Sequence, residues 1–277
     1  MTINCKGKLI DLSTPKVMGI LNLTPDSFFD GGQNKSEKSI TEQVALMLQE
    51  GATFIDIGAY SSRPNADFVS EADELKRLLP IITLLTKTFP DICISIDTFR
   101  SEVAKQAIHA GAAIINDISA GQLDNKMLET VAKLQVPYIM MHIRGTPKTM
   151  QQLTSYNNLT KDILFYFSEK ITEAKALGII DIIVDPGFGF AKTREQNFEL
   201  LNNLELFKHI EKPLLAGVSR KSMIYKTLNI TPKEALNGTT VINTMALQKG
   251  ASILRVHDVK EAMECVKLFS ELPTDSF

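Results

Sequence analysis

Eight times along this chain a short run of β-branched and aliphatic residues gives way to an amphipathic stretch, and no other property of the sequence limits the fold as strongly. The runs begin near Val17, Thr53, Ile92, Ala113, Tyr138, Asp181, Pro213 and Ser252, at intervals of 21 to 43 residues. Such alternation is the pattern of βα units laid around a parallel sheet. Spaced apolar positions predict helices over Glu42–Gln49, Glu71–Lys87, Glu102–His109, Met127–Gln135, Asp162–Leu177, Glu195–Lys208 and Lys260–Ser270. Gly51, Gly111, Gly178 and Gly250 follow helical stretches closely, as C-terminal stops do. Eight units in about 250 residues match the count and size of a closed (β/α)8 (TIM) barrel of the α/β class. No interval is long enough to hide a second domain, so residues 1–277 read as one domain. The first sixteen residues, with Gly7 between two short runs, read as an N-terminal β-hairpin.

Composition removes several functional classes. Thirty basic residues against 32 acidic ones give a net charge of −2, which lacks the footprint of a nucleic-acid or anionic-membrane binder. No run approaches the ~18 apolar residues of a membrane span, and the start has no signal-like apolar region. Cys5, Cys93 and Cys265 form no CxxC pair, so reduced thiols and a cytoplasmic setting are expected.

In a barrel of this kind, active-site groups collect at the carboxyl ends of the strands. The runs end in Asn22, Asp56, Asp97, Asn116 with Asp117, His142, Asp185, Ser219-Arg220-Lys221, and Arg255 with His257. Any one of these could simply cap the following helix; eight together are harder to explain so. Side chains two apart share a face of a strand. Parity therefore turns Cys93, Ser95 and Asp97 inward and Ile92, Ile94 and Ile96 outward. Arg255 and His257 project together, and Asn116, rather than Asp117, shares the face of Ile114.

Asp185-Pro186-Gly187-Phe188-Gly189-Phe190 puts a carboxylate at a strand end, followed by glycines that let backbone approach a ligand. The two phenylalanines either plug the barrel top or wall a pocket. A buried carboxylate there calls for paired N–H donors, as a pterin or guanine-like ring offers. Arg220, Lys221, Arg255 and His257 are up to four cations after strands seven and eight, where barrel enzymes often bind phosphate. Arg255 lies inside an apolar run and needs an anion or an aromatic face. Asn22 supplies a neutral oxygen suited to Mg2+ that keeps several waters and takes its charge balance from a diphosphate. His142 reads equally as a structural histidine or a ligand.

The stretch Met18-Gly19-Ile20-Leu21-Asn22-Leu23-Thr24-Pro25-Asp26-Ser27-Phe28 resembles the opening signature of the dihydropteroate synthases. Seven further blocks follow in the order of that family. They are Ile55-Asp56-Ile57-Gly58 with Ser61-Ser62-Arg63-Pro64, Ser95-Ile96-Asp97-Thr98, Ile115-Asn116-Asp117, Met141-His142 with Gly145-Thr146-Pro147, Asp185-Pro186-Gly187, Ser219-Arg220-Lys221-Ser222 and Arg255-Val256-His257-Asp258. The resemblance implies condensation of p-aminobenzoate with 6-hydroxymethyl-7,8-dihydropterin diphosphate, giving 7,8-dihydropteroate and pyrophosphate for folate synthesis. By the same resemblance Asp97, Asn116, Asp185, Lys221 and Arg255 are expected to hold the pterin, with Asp97, Lys221 and Arg255 closest to the chemistry. Asn22, Arg255 and His257 are expected on the diphosphate, with Asn22 on Mg2+. Asp26, Phe28, Ser62, Arg63, Pro64, Phe190 and Ser222 are expected on the p-aminobenzoate side, the side that sulfonamides target. A homodimer is the implied assembly.

The second loop departs from the family pattern: Gly58-Ala59-Tyr60-Ser61-Ser62-Arg63-Pro64-Asn65 stands where Gly-Gly-Glu-Ser-Thr-Arg-Pro-Gly is common, and Tyr225 stands where glycine often follows Ser-Arg-Lys. Two other readings share the barrel and the polar floor: a corrinoid-type pterin methyltransferase domain, and a paralogue that binds pterins without catalysis.

Overall fold

The computed structural model describes residues 1–23, 33–60 and 68–272. The chain opens with the hairpin β1 (Thr2–Cys5) and β2 (Lys8–Asp11), which pair antiparallel across a turn at Lys6 and Gly7, both at positive φ. Eight parallel strands follow: β3 (Lys16–Asn22), β4 (Phe54–Gly58), β5 (Ile94–Asp97), β6 (Ile114–Asp117), β7 (Tyr138–Met141), β8 (Ile182–Asp185), β9 (Leu215–Ala216) and β10 (Ile253–Val256). Their order in space is β8-β7-β6-β5-β4-β3-β10-β9. The ends meet where Val184 bridges Leu214, the Val184 N–H donating to the Pro213 carbonyl at 3.0 Å. The fold is a (β/α)8 barrel.

The outer ring contains α1 (Gln33–Glu50), α2 (Glu71–Thr88), α3 (Ser101–His109), α4 (Met127–Leu134), α5 (Leu159–Ala176), α6 (Arg194–Asn202), α7 (Ser222–Leu228), α8 (Leu236–Gln248) and α9 (Val259–Ser270). Strand parity divides the apolar residues between two cores. Val17, Leu21, Ile55, Ile57, Ile94, Ile96, Val184, Leu254 and Val256 face outward and pack with the helices. Met18, Phe54, Ile114, Ile139, Ile183, Leu215 and Ile253 fill the lower barrel interior. Ile3, Cys5 and Leu12 from the hairpin segment join this inner cluster and close the bottom. The hairpin is tied down by the Asn4 N–H, which donates to Asp181 Oδ2 at 2.8 Å. With the lower interior filled, polar inward positions are left to the upper end.

Three helical assignments differ from the sequence expectation. The first helix starts at Gln33 rather than Glu42. The predicted helix Glu195–Lys208 stops at Asn202 and resumes as a 3-10 turn over Leu204–Ile210. Two helices, α7 and α8, occupy residues 222–248, where the sequence assigned no helical range and only Gly250 marked a helix end. Helix α8 is rich in Thr, Asn and Gly, which are weak helix formers. Tertiary burial of Thr239, Ile242, Asn243, Ala246 and Leu247 decides its structure. A Cβ on Gly238 would lie 2.4 Å from Ile224 Cγ2, so glycine is what lets α8 approach α7.

The closed bottom makes a direct prediction. Ile3→Ala, at a side chain 1% exposed, should cost about 3 kcal/mol in urea unfolding. Leu9→Ala, at a side chain 70% exposed on the same hairpin, should change stability by less than about 0.5 kcal/mol. Equal effects would mean that the hairpin does not plug the barrel.

Candidate active site

Strand register builds the site. Ile20, Asp56, Ser95 and Ile114 are successive neighbours across β3 to β6, and one level higher Asn22, Gly58, Asp97 and Asn116 are neighbours in the same way. The first of these rows already carries a carboxylate, and the second forms the floor of an open bowl.

Arg255, reaching over from β10, crosslinks that bowl. Its Nε donates to Asp56 Oδ2 at 2.6 Å and its Nη2 donates to Asp97 Oδ2 at 2.8 Å. Asn116 Nδ2 donates to the same Asp56 oxygen at 3.0 Å. Asp56 is fully buried, and its other oxygen, Oδ1, has no hydrogen-bond partner; nor does the buried hydroxyl of its neighbour Ser95. Burial pushes the Asp97 carboxyl up to about 7, against the pull of Arg255, with the Asp56 charge adding to the rise.

On the opposite wall, Asp185 ends β8 and accepts from the Gly187 N–H at 2.8 Å. Burial raises its pKa above the usual carboxylate range, opposed first by the Lys221 charge. Burial lowers Lys221 to about 8, partly offset by Asp185. The Lys221 ammonium donates to the Phe188 carbonyl and sits 4.8 Å from the centre of the Phe190 ring. Gly187 has φ +72°, and a Cβ there would lie 2.2 Å from the His142 carbonyl oxygen, so the loop can pass only as glycine. Gly217 leaves space between the walls, since a Cβ on it would sit 3.9 Å from Asp185 Oδ2 and 4.0 Å from Arg255 Cβ.

His257 follows β10, and its Nδ1 lies 2.9 Å from Ser219 Oγ, which also accepts from the His257 backbone N–H at 3.2 Å. Asn22 is exposed at the end of β3, Phe190 is half-buried, and Ser222 opens α7 half-buried beside Lys221. Asp26, Phe28, Ser62, Arg63 and Pro64, together with Ser61 and Asn65, lie outside the described residues.

Arg220 does not join the cations of the rim. At φ +53° it turns away, donating through Nε and Nη2 to the two carboxylate oxygens of Asp258, both at 2.8 Å. Its Nη1 caps the Pro232 and Lys233 carbonyls at 2.9 and 2.6 Å. Of the four basic residues expected to cluster after strands seven and eight, Lys221, Arg255 and His257 thus remain at the rim. Asp117 likewise serves its own turn, accepting from the Ser119 and Gly121 N–H groups at 2.8 and 2.7 Å and from the Tyr138 hydroxyl at 2.6 Å.

Two residues of the site went unassigned in the sequence. Asp56 stood among the strand ends, yet nothing local marked it as the main partner of Arg255, 199 positions away. Lys192 belongs to none of the motifs that mark the site, yet it is 3% exposed behind the Phe190 loop.

The pterin-binding enzyme family matches residues 18–257. The dihydropteroate synthase of Escherichia coli strain K12 is 42% identical over 270 residues, covering 97% of this chain and 95% of that protein. The chain belongs to the dihydropteroate synthase family. It is an enzyme, a transferase of folate biosynthesis. Two solved dihydropteroate synthases are similar throughout. The Yersinia pestis protein, in a sulfonamide drug complex, has TM-score 0.91 and 42% identity over 98% of both chains. The Xanthomonas albilineans protein, with 4-aminobenzoic acid, has TM-score 0.90 and 34% identity over 98% of this chain and 99% of that one. Membership of this family favours the synthase over the methyltransferase and non-catalytic readings. Among the described residues no helix is long and apolar enough to cross a membrane.

The placement of Arg220 can be checked by stability. Arg220→Ala should lower the urea midpoint by the equivalent of about 2 kcal/mol at unchanged m-value, because Asp258 and two carbonyls lose their donor. An unchanged midpoint would show that the guanidinium is free for other anions.

Proposed function

We propose that this chain condenses 6-hydroxymethyl-7,8-dihydropterin diphosphate with p-aminobenzoate to give 7,8-dihydropteroate and pyrophosphate. The observation that carries this reading is the acceptor pattern of the bowl: three buried or half-buried carboxylates, Asp56, Asp97 and Asp185, stand beside Arg255, Lys221 and the deeper Lys192, and Asp56 keeps one oxygen with no hydrogen-bond partner. A pterin presents a row of N–H donors and one carbonyl, and so complements carboxylates beside an ammonium. In this reading Asp97, Asp185 and Asn116 take the donor edge, Lys221 donates to the pterin carbonyl, and the Arg255 guanidinium stacks on the ring while its fork stays on Asp56 and Asp97. The unpartnered Asp56 Oδ1 and Ser95 Oγ fit a ligand or a water brought in with it.

Asn22, Arg255 and His257 would meet the diphosphate. Among the described residues there is no cluster of three or more His, Cys, Asp or Glu able to hold a metal. An exposed amide oxygen such as that of Asn22 fits Mg2+ that arrives with the diphosphate and keeps its waters. When bound, Mg2+ neutralises charge developing on the leaving group. The methylene C–O bond breaks with its electron pair leaving on the diphosphate, and Asp97 stabilises the positive charge left on the pterin methylene. The aniline nitrogen of p-aminobenzoate then forms the C–N bond and releases one proton to the departing pyrophosphate or to water. Phe190 and Ser222, with Asp26, Phe28, Ser62, Arg63 and Pro64, would form the p-aminobenzoate side. The 4-aminobenzoic acid and sulfonamide complexes of the two similar structures support both that ligand and sulfonamide competition. Residues 1–277 are read as one domain, acting as a cytoplasmic homodimer. Free Cys5, Cys93 and Cys265 and water-soluble substrates support the compartment.

The decisive assay mixes purified protein, Mg2+ and both substrates; dihydropteroate and pyrophosphate should form in equal amounts. Protein that binds the pterin diphosphate yet makes no dihydropteroate would refute the proposal.

The site also predicts a pH profile for binding of free 6-hydroxymethyl-7,8-dihydropterin by calorimetry. Affinity should rise with pH through about 7 as Asp97 ionises and becomes an acceptor only, then fall above about 8 as Lys221 loses its proton. Lys221→Met should remove the upper limb and keep the lower one. A flat profile between pH 6 and 9 would contradict these assignments.

A further inference from the structure

We propose that Lys192 is a positioning residue of the site, its ammonium clamping the loop between β8 and α6 into the shape that seats Lys221. This inference rests on the pterin reading only for the use to which Lys221 is put, not for the geometry.

Lys192 Nζ lies 2.9 Å from the Gly187 carbonyl oxygen, 3.0 Å from that of Phe190 and 3.1 Å from Nδ1 of His142. An ammonium has three N–H donors, and here each has one acceptor. His142 is 2% exposed, and burial with the nearby Lys192 and Arg144 charges holds its pKa down to about 2. Its ring is therefore neutral, and accepting at Nδ1 places its own proton on Nε2. The ring is itself held edge-on against Tyr166, with centroids 4.9 Å apart. Tyr166 is fixed through its hydroxyl, which donates to the Ser119 and Met141 carbonyls at 3.1 and 3.2 Å.

The clamped loop touches Lys221 and Asp185 at three points. Gly187 gives its N–H to Asp185, Phe188 gives its carbonyl to the Lys221 ammonium, and Phe190 lays its ring against that ammonium. Asn197 steadies the middle, its Oδ1 accepting from the Gly189 N–H at 2.6 Å. Lys192 grips the loop at Gly187 and Phe190, the residues that bracket the Phe188 contact. Without it, the Phe190 carbonyl would lose its Lys192 donor and the Gly187 carbonyl would keep only the Phe190 N–H, at 3.1 Å, so the tie between the two ends of the loop would be lost. The charged groups acting on Lys192 are Asp185, Lys221 and Arg144; those acting on Lys221 are Asp185, Arg255 and Asp97.

The test is a titration of Lys221 by NMR of side-chain-labelled lysine, the signal assigned with Lys221→Arg. In Lys192→Met, a loosened seat admits water, and the Lys221 pKa should rise by about one unit, toward the ordinary lysine value. His142→Leu removes one acceptor while leaving the Lys192 ammonium in place; a smaller rise there marks the effect as geometric, and this variant decides the matter if Lys192→Met does not fold. Dihydropterin affinity at pH 7.5 should fall about tenfold in Lys192→Met, with the KM for p-aminobenzoate changed less than about twofold. Variants that lose thermal stability while the Lys221 pKa stays put would overturn the inference, because a merely structural lysine does only that. Wild-type protein that binds no dihydropterin would sink the pterin reading instead, and the Lys221 titration would still decide this one.

Discussion

A guanidinium buried between two carboxylates governs the upper end of this barrel. Arg255 cannot shed its proton, so an apolar strand can carry it inward only if the neighbouring strands supply anions. Asp56 and Asp97 do so, at 2.6 and 2.8 Å, and Asn116 completes the set from the next strand. Four strands, β4, β5, β6 and β10, are thereby tied together across two adjacent levels of the barrel. The arrangement leaves Asp185 and Lys221 as a second, partly compensated pair on the facing wall. Buried carboxylates with acceptor capacity left over are what a ring rich in N–H donors can satisfy.

The rest of the fold keeps this space polar at one end and dry at the other. Below it, the inner apolar cluster and the hairpin residues Ile3, Cys5 and Leu12 exclude solvent. Above it, the site depends on loops, and their shapes are set by contacts that are not themselves part of the chemistry: Arg220 on Asp258 behind the Ser-Arg-Lys turn, and Lys192 on two carbonyls and His142 behind the Phe190 loop. In both cases a cation is consumed in holding a loop, next to Lys221 in the chain in one and two residues from the Phe190 ring that touches the Lys221 ammonium in the other.

The barrel was legible because periodicity is a local property. The inward set Ser95 and Asp97 and the outward set Ile94 and Ile96 follow from counting by two, and the structure keeps that parity. What escaped was decided at long range. Arg220 looked like one more cation on a phosphate rim, since neither its positive φ nor its pairing with Asp258 can be read from Ser-Arg-Lys. Asp56 and Lys192 carried no local sign of their partners. Helix α8 was hidden by its own weak propensity, which packing against α7 overrides. The eight ordered blocks carried the family, but the residues on either side of the second loop's Ser-Arg-Pro carried less, because that loop is where this chain departs from the pattern.

Arg255 is the counter-charge of the buried carboxylates Asp56 and Asp97, and a double-mutant cycle in urea measures that directly. Arg255→Met should cost about 3–5 kcal/mol by stranding buried carboxylates. Adding Asp56→Asn to Arg255→Met should restore a large part of that loss, since the stranded charge is then gone. A double variant no more stable than Arg255→Met alone would show that the floor does not depend on this pairing.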